Sequence, residues 1–411
     1  MKTKNTRSFA DLNLAREVIP AAEIHRRDFL KLSGLATAGL LIGIGSRPAS
    51  ASPSPEGEKT FEPNAYLSIR SDGRIILFAK NPEIGQGIKT ALPMLIAEEL
   101  EVKWSKIEVQ QGHLDNRFGA QFAGGSTGIK TNFEAVRKAG AAAREMLVEA
   151  AARRWHVSLD QCVARDGFVH LRGNNTKLAY AELAEAAAKL TVREDPPLKD
   201  PKDFRIIGAS IPGVDNKLIV TGKAEFGLDA KPKGMRVAVI ERCPFFGGSI
   251  KSIDDQAALQ VRGVEQIVRI EATKNPTQLV AGVAVVTNST WAALKGRKAL
   301  KVEWNRPAGE VESTDGLRRQ FEALLNDKGQ IIREDGNVEE AFAQSKVVHE
   351  ATFEAPFLAH APMEPQNYIA DVQADKAEVW GPTQVPGSVR QRAAEITGLP
   401  PNKITVKMTR V

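Results

Sequence analysis

A chain of 411 residues, 42% hydrophobic and 26% charged, can bury a sizeable core and is expected to form two or three domains, which excludes a disordered polymer and a membrane bundle. The formal charge is +6, but residues 1–51 hold eight Lys/Arg against four Asp/Glu, so the remainder carries only about +2 and offers no electrostatic footprint for nucleic acid. Two cysteines, Cys162 and Cys243, and no CxxCH exclude a four-cysteine iron–sulfur cluster and covalent haem in this chain.

The chain opens on a leader. In "HRRDFLKLSGLATAGLLIGIGSRPASA" Arg26 and Arg27 precede a short apolar run and the small-residue cleavage site Ala49-Ser50-Ala51. This pattern matches a twin-arginine export signal over 1–51 and predicts a periplasmic protein, free or membrane-associated. The apolar run is too short to span a bilayer comfortably. Residues 52–64, rich in Pro, Ser and charge, read as a linker.

An α+β module is predicted over 65–190. "AYLSIRSDGRIILFAK" alternates apolar residues on both sides of Asp72-Gly73, which predicts a β-hairpin. In "NPEIGQGIKTALPMLIAEEL" apolar residues recur at helical spacing from Ile88, so Gly85, Gln86 and Gly87 fall at a helix N-terminus. Unpaired N–H groups there, with glycines that permit close approach, suit an anion, and the Gln86 amide adds direction; a tight turn is the alternative. A second polar glycine loop, 124–128, precedes a long alanine-rich helix that a capping box from Thr131 to Glu134 could open. "GGSTGIKT" is not a P-loop, because Ile129 stands where glycine is needed and no buried apolar strand precedes it. Ser126 and Thr127 could still hold a phosphate or a pterin edge, or simply cap and turn the chain.

Residues 191–213, rich in Pro, Asp and Lys, read as a linker, and strands alternating with short helices predict a compact α+β domain over 214–305. Asp254 and Asp255 are read as a dipole-favoured helix start. Cys243, before Pro244 at a strand end, is read as structural, and both thiols are expected to be free. A connecting segment, 306–345, precedes a last domain over 346–411.

The order of these pieces resembles the molybdopterin-binding large subunit of the xanthine dehydrogenase and aldehyde oxidase family. The likeness is to its exported branch, which includes membrane-associated aldehyde dehydrogenases and the isoquinoline 1-oxidoreductase β subunit. "PEIGQGIKTALPMLIAEEL" resembles that branch's pterin-contacting element. "TGKAEFGLDAKPKGMRVAVIERCPFFGGSI" with "GVAVVTNSTWAALKGRKALKVEW" resembles its a/b hammerhead domain, and "HAPMEPQNYIADVQADKAEVWGPTQVPGSVRQRAAEITGLPPNKITVKMTRV" the start of its cofactor-binding domain. The implied fold is α+β, of the multi-domain molybdenum hydroxylase large-subunit type with an a/b hammerhead domain, truncated: the likeness covers only the first half or so of such a protein. The family's general-base glutamate lies in the half without a counterpart here.

The resemblance implies a molybdenum–molybdopterin cofactor, in simple or dinucleotide form, and no protein metal ligand. Gly85, Gln86 and Gly87 would contact its phosphate or pterin, with Ser126 and Thr127 as further cofactor contacts. Gln384 of "WGPTQ" would sit beside the molybdenum as the chain's catalytic-site residue, and His360 and Glu364 of "HAPMEP" would lie near the cofactor. Read without the family, Gln384 is a solvent-facing amide and His360 with Glu364 a buried, satisfied polar pair. The implied reaction is oxidative hydroxylation or dehydrogenation of an aldehyde or N-heterocycle, with electrons passed to a separate [2Fe–2S] small subunit and a c-type cytochrome as a further candidate partner. A non-catalytic exported binding protein, or an inactive remnant, is the alternative.

Overall fold

The computed structural model describes residues 7–8, 60–273, 279–307 and 313–410. Of the twin-arginine leader expected over 1–51 only residues 7–8 are described, and the first part of the expected linker, 52–59, lies outside the described residues. The described chain divides into two compact units, one formed by 60–231 with 362–410 and the other by 232–361 with 7–8.

The first unit begins with four strands, β1 (Thr60–Asn64), β2 (Leu67–Arg70), β3 (Ile75–Ala79) and β4 (Ile107–Gln111), in the sheet order β1-β2-β3-β4. Strand pairing therefore starts at Thr60, inside the stretch read as linker. β2 and β3 form the hairpin, with Leu67 opposite Leu77 and Ile69 opposite Ile75. Gly73 takes a φ of +89° in its turn, where Asp72 Oδ1 accepts the Arg74 N–H at 2.9 Å. β3 and β4 run parallel, so the chain must cross over between them, and helix α1 (Ile88–Leu100) makes the crossover.

Helix α2 (Phe133–Trp155) packs on α1. A Cβ at Gly140 would stand 2.6 Å from the Ile96 carbonyl oxygen, so the helices approach as closely as they do only because that side chain is a hydrogen. Asn132 sits at the N-cap of α2, and Thr131 Oγ1 donates to the Thr127 carbonyl at 2.9 Å. The expected Thr131–Glu134 capping box does not form, because the helix starts one residue later, with Asn132 and not Thr131 at its N-cap. The meander β5 (Cys162–Arg165), β6 (Phe168–Leu171) and β7 (Lys177–Ala179) and helix α3 (Tyr180–Ala187) complete this half. The buried Tyr180 hydroxyl donates to the Leu100 carbonyl at 2.8 Å and pins α3 to the end of α1. Leu67, Ile69, Leu77, Leu92, Ile96, Val136 and Leu147 are among the buried core residues.

Residues 195–207 run across the end of α1 as an ordered strap. Glu98 is buried and accepts N–H bonds from Arg205, Ile206 and Ile207, and Lys199 Nζ lies 2.6 Å from it. The neighbouring Glu99, fully buried, pairs with Arg137 and Arg144. Buried carboxylates persist when paired and hydrogen-bonded in this way, and they turn a stretch that reads as a connection into part of the module.

In the second unit, β8 (Val237–Arg242), β10 (Val264–Ile270) and β11 (Gly282–Thr287) form an antiparallel sheet in the order β10-β11-β8, with Arg7–Ser8 alongside β10. β9 (Ser249–Asp254) pairs antiparallel with β12 (Lys301–Asn305). Between β9 and β10 the short helix Gln256–Leu259 opens on Asp255 at its N-cap. Helix α4 (Thr290–Ala299) is capped by Ser289, whose Oγ accepts the Ala292 N–H at 3.3 Å. Cys243, Ile250, Ile267, Val283, Val285 and Leu300 make its core. Cys243 is a buried free thiol, as is Cys162, and a Cβ at Gly248 would come within 2.5 Å of its sulfur. Helices α5 (Thr314–Leu324) and α6 (Val338–Gln344) follow, with no buried residue on either.

The chain then returns to the first unit. β13 (Ile369–Val372) pairs antiparallel with β14 (Ala377–Gly381), helix α7 (Pro386–Thr397) crosses over, and β15 (Ile404–Met408) adds in parallel to β14. Ala377, Val379, Ile404 and Val406 form a small core against which Leu114 of the N-terminal half packs. No helix among the described residues is long and apolar enough to cross a membrane.

Candidate functional site

The GQG turn is built by its own glutamate. Gly85 and Gly87 take φ of +95° and +82°, and Gly87 is the left-handed N-cap of α1. The N–H groups this exposes are not free. Glu83 Oε1 accepts those of Gly85 at 2.8 Å and Gly87 at 3.1 Å, and Oε2 accepts that of Lys89 at 2.8 Å. A buried carboxylate thus occupies the position predicted for an incoming anion. Gln86 is exposed and folded on its own turn, with Oε1 accepting the Ile84 N–H at 2.7 Å and Nε2 donating to the Pro82 carbonyl at 3.0 Å.

Charges converge behind this turn. Lys89 Nζ lies 2.9 Å from both Asp215 oxygens, Arg410 reaches Asp215 at 2.6 Å, and Arg410 stands 4.0 Å from Glu83. Three distant stretches of sequence, around 83–89, 215 and 410, are therefore tied at one helix end.

The second glycine loop adjoins the first. A Cβ at Gly128 would lie 3.1 Å from Cδ1 of Ile88, the first residue of α1, and 4.0 Å from Asn81 Nδ2. Ser126 is exposed and left-handed at φ +55°, and Thr127 Oγ1 donates to the Gly124 carbonyl at 3.0 Å. Gln384 reaches this loop: its Nε2 donates to the Ala123 carbonyl at 2.7 Å, and the Ala123 N–H donates back to the Gln384 carbonyl at 3.0 Å. Gln384 is exposed, but its amide is engaged by the bond to the Ala123 carbonyl.

Glu364 lies in the same unit, where Oε1 accepts the Leu228 N–H at 3.0 Å and Asn367 Nδ2 at 3.1 Å while Oε2 is buried without a hydrogen-bond partner. His360 is exposed and belongs to the other unit, so the two do not form a buried, satisfied pair.

Beneath the loops are polar residues that the sequence does not single out. Lys80, 5% exposed, has one acceptor within reach, Asn132 Oδ1 at 2.8 Å, and burial pushes its ammonium down to about 8. Asn81, 2% exposed, holds an Oδ1 with no hydrogen-bond partner. The one available signal is position: Lys80-Asn81 follows a strand directly, and Asn132 precedes a helix. Among the described residues no cluster of three or more His, Cys, Asp or Glu could hold a metal ion.

Residues 16–217 and 324–411 each match a family described as a molybdopterin cofactor-binding domain. The chain is 30% identical over 407 residues to the membrane-bound aldehyde dehydrogenase [pyrroloquinoline-quinone] of Gluconacetobacter polyoxogenes, covering 94% of this chain and 51% of that one. It is 29% identical over 442 residues to the beta subunit of isoquinoline 1-oxidoreductase from Brevundimonas diminuta, covering 94% and 55%. A nicotinate dehydrogenase subunit from Pseudomonas putida is 26% identical over 87% of this chain and 30% of its own length. The chain thus spans about half the length, or less, of these curated relatives. Among solved structures, the aldehyde oxidoreductase of Desulfovibrio gigas aligns with a TM-score of 0.39 at 19% identity, covering 56% of this chain and 30% of that one.

Proposed function

We propose that this chain, which belongs to the molybdopterin cofactor-binding large-subunit family of the xanthine dehydrogenase and aldehyde oxidase type, supplies the cofactor-contacting part of an oxidoreductase acting on an aldehyde or an N-heterocycle. The observation that carries the proposal is the reciprocal pair of hydrogen bonds between Ala123 and Gln384. It joins the two separately matched stretches of the chain at a glycine loop next to the GQG helix start.

The residues fit a pterin ring and do not fit its phosphate at this helix end. Glu83 already takes the helix-end N–H groups, and a second anion there would meet a buried carboxylate. A heterocycle with amide-like N–H and C=O edges suits the surroundings better, since the glutamine amides are neutral and Asn81 Oδ1 is a buried acceptor in want of a donor. When bound, the molybdenum centre would supply the two-electron redox chemistry. The chain's own residues hold and orient: Glu83 fixes the GQG turn, the Gln86 amide presents its edge at the surface, and the clasp to Ala123 fixes where Gln384 stands.

The finer features of the proposal follow the family. Residues 214–305 act as an a/b hammerhead domain, and export follows the twin-arginine route to the periplasm. Electrons leave through a separate [2Fe–2S] subunit, to which a c-type cytochrome could connect. Both cysteines of this chain are buried, which agrees with a cluster carried elsewhere. The cofactor nucleotide, where one is attached, is held away from the GQG turn.

Molybdenum content by mass spectrometry, on chain purified from the periplasm with its co-purifying polypeptides identified, tests the proposal. Near-stoichiometric molybdenum together with a [2Fe–2S] polypeptide is the expected result. A metal-free chain carrying a quinone overturns the cofactor assignment, and one carrying neither favours the non-catalytic binding protein.

A further inference from the structure

A cavity of about 390 Å³ lies at the C-terminal end of α1, lined by residues that the candidate site does not use. Val102, Trp104, Ile206 and Ile211 give it an apolar wall, and Glu101, Lys103, Asp166 and Arg205 bring charges to it. Its size suits one ring or a short chain carrying a polar head.

The charges around this cavity do not cancel. Glu98, which also lines it, is saturated by Lys199 and three backbone N–H groups. Glu101 holds Lys199 at 2.8 Å and also pairs with Arg205. Asp166 sits in the turn between β5 and β6 at φ +56°, with Lys103 at 3.8 Å and Arg165 at 3.9 Å, both too long for hydrogen bonds. Among the described residues these ion pairs close on four cations, Lys103, Arg165, Lys199 and Arg205, and on three carboxylates. One positive charge is left over. The spare donors line the cavity: the Lys103 side chain is 60% exposed and meets only Asp166, and Arg205, 53% exposed, gives Glu101 one of its guanidinium nitrogens.

We propose that this cavity binds a small monocarboxylate with an apolar body, its head on Arg205 and Lys103 and its body against Trp104, Ile206 and Ile211. A guanidinium edge can meet a carboxylate in two parallel bonds, and a single negative charge balances the set. A cation of the same size would add to a surplus that is already positive, and the one loosely held carboxylate, Asp166, stands between two cations. The bound molecule would join the end of α1 to the strap. The GQG turn is at the other end of α1, thirteen residues away, or about 20 Å at 1.5 Å per residue. The proposal is therefore for a second ligand and does not depend on the cofactor reading.

Calorimetry of the full chain with benzoate, at neutral pH and low salt, provides the test. One saturable site is expected. Acetate, which lacks the ring, and benzylamine, which reverses the charge, should each bind about tenfold more weakly or worse. Arg205→Gln and Lys103→Gln should each weaken benzoate by about tenfold. Lys103→Gln leaves the Glu98 and Glu101 pairs in place, so it tests the site even where Arg205→Gln loosens the strap. Benzoate should also slow amide exchange over 205–211 and leave Gly85 and Gly87 unchanged. Three results overturn the proposal: no saturable binding, acetate or benzylamine binding as tightly as benzoate, or benzoate affinity untouched by both substitutions.

Discussion

Lys80 Nζ lies 2.8 Å from Asn132 Oδ1, and this one bond joins the end of a strand to the start of a helix 52 residues later. The ammonium is nearly sealed from water, and burial pushes it down to about 8. A lysine depressed in the folded state favours its neutral form there, so it contributes stability above its ordinary value near 10.5 and loses it as pH falls through about 8. Lys80→Met should therefore flatten the rise in stability between these pH values by about 3 kcal/mol, at about 1.4 kcal/mol per unit. Urea midpoints of both proteins at pH 7 and pH 10 provide the check, and parallel pH responses would contradict it.

Glu83 anchors the GQG turn through three N–H bonds. Glu83→Gln keeps one acceptor oxygen and loses the charge facing Arg410, so we expect a loss of about 1–3 kcal/mol, together with faster amide exchange at Gly85, Gly87 and Lys89. Thermal unfolding and exchange on the same sample read both effects. Glu83→Ala should cost more, because it strands all three donors.

Gly140→Ala sets a methyl carbon against the Ile96 carbonyl. Forcing α1 and α2 apart should destabilise the protein by about 1–3 kcal/mol, although alanine is the better helix former by roughly 1 kcal/mol. A neutral or stabilising result in denaturant titration would show that the helices have room to separate.

His113 Nδ1 accepts the Met408 N–H at 3.2 Å. Burial first, and the nearby Lys407 second, lower its pKa. Its contribution is present above the ordinary imidazole value of about 6.5 and is lost as pH falls further. Acidification below that value should loosen β15 before the N-terminal sheet, and His113→Phe should remove the pH dependence while weakening β15 at every pH. Exchange at Met408 compared with Leu77, across a pH series, separates the two behaviours.

Local chemistry was readable from the sequence; distant pairing was not. The Asp72-Gly73 turn, the helix start at Ile88 and the alternation in β2 and β3 depend on neighbours within a few residues, and periodicity carries that information. Glu98 and Glu99 defeat the same reasoning. They lie at the end of α1, where residues 95–100 are all buried, and the partners of Glu98, Lys199 and the backbone of 205–207, come about a hundred residues later. The Thr131–Glu134 capping box is locally reasonable and is lost because the helix begins one residue later, at Asn132. At the candidate site the sequence reveals the glycines and the glutamines. It does not reveal Glu83 as their internal anion, nor Lys80 with Asn132, because the meaning of each depends on the residue it meets in space.

The first unit is interrupted: its strands β13 to β15 are encoded after the whole of 232–361. A growing chain therefore emerges with β1 to β7 unable to receive Met408 at His113 or Arg410 at Asp215, while the inserted segment, with its own buried cluster, is already made. The first unit is thus the last whose residues are all made. Until Arg410 has been added, Asp215 has only Lys89 as its cationic partner among the described residues, so the charge cluster behind the GQG turn is completed only by residue 410 of this sequence.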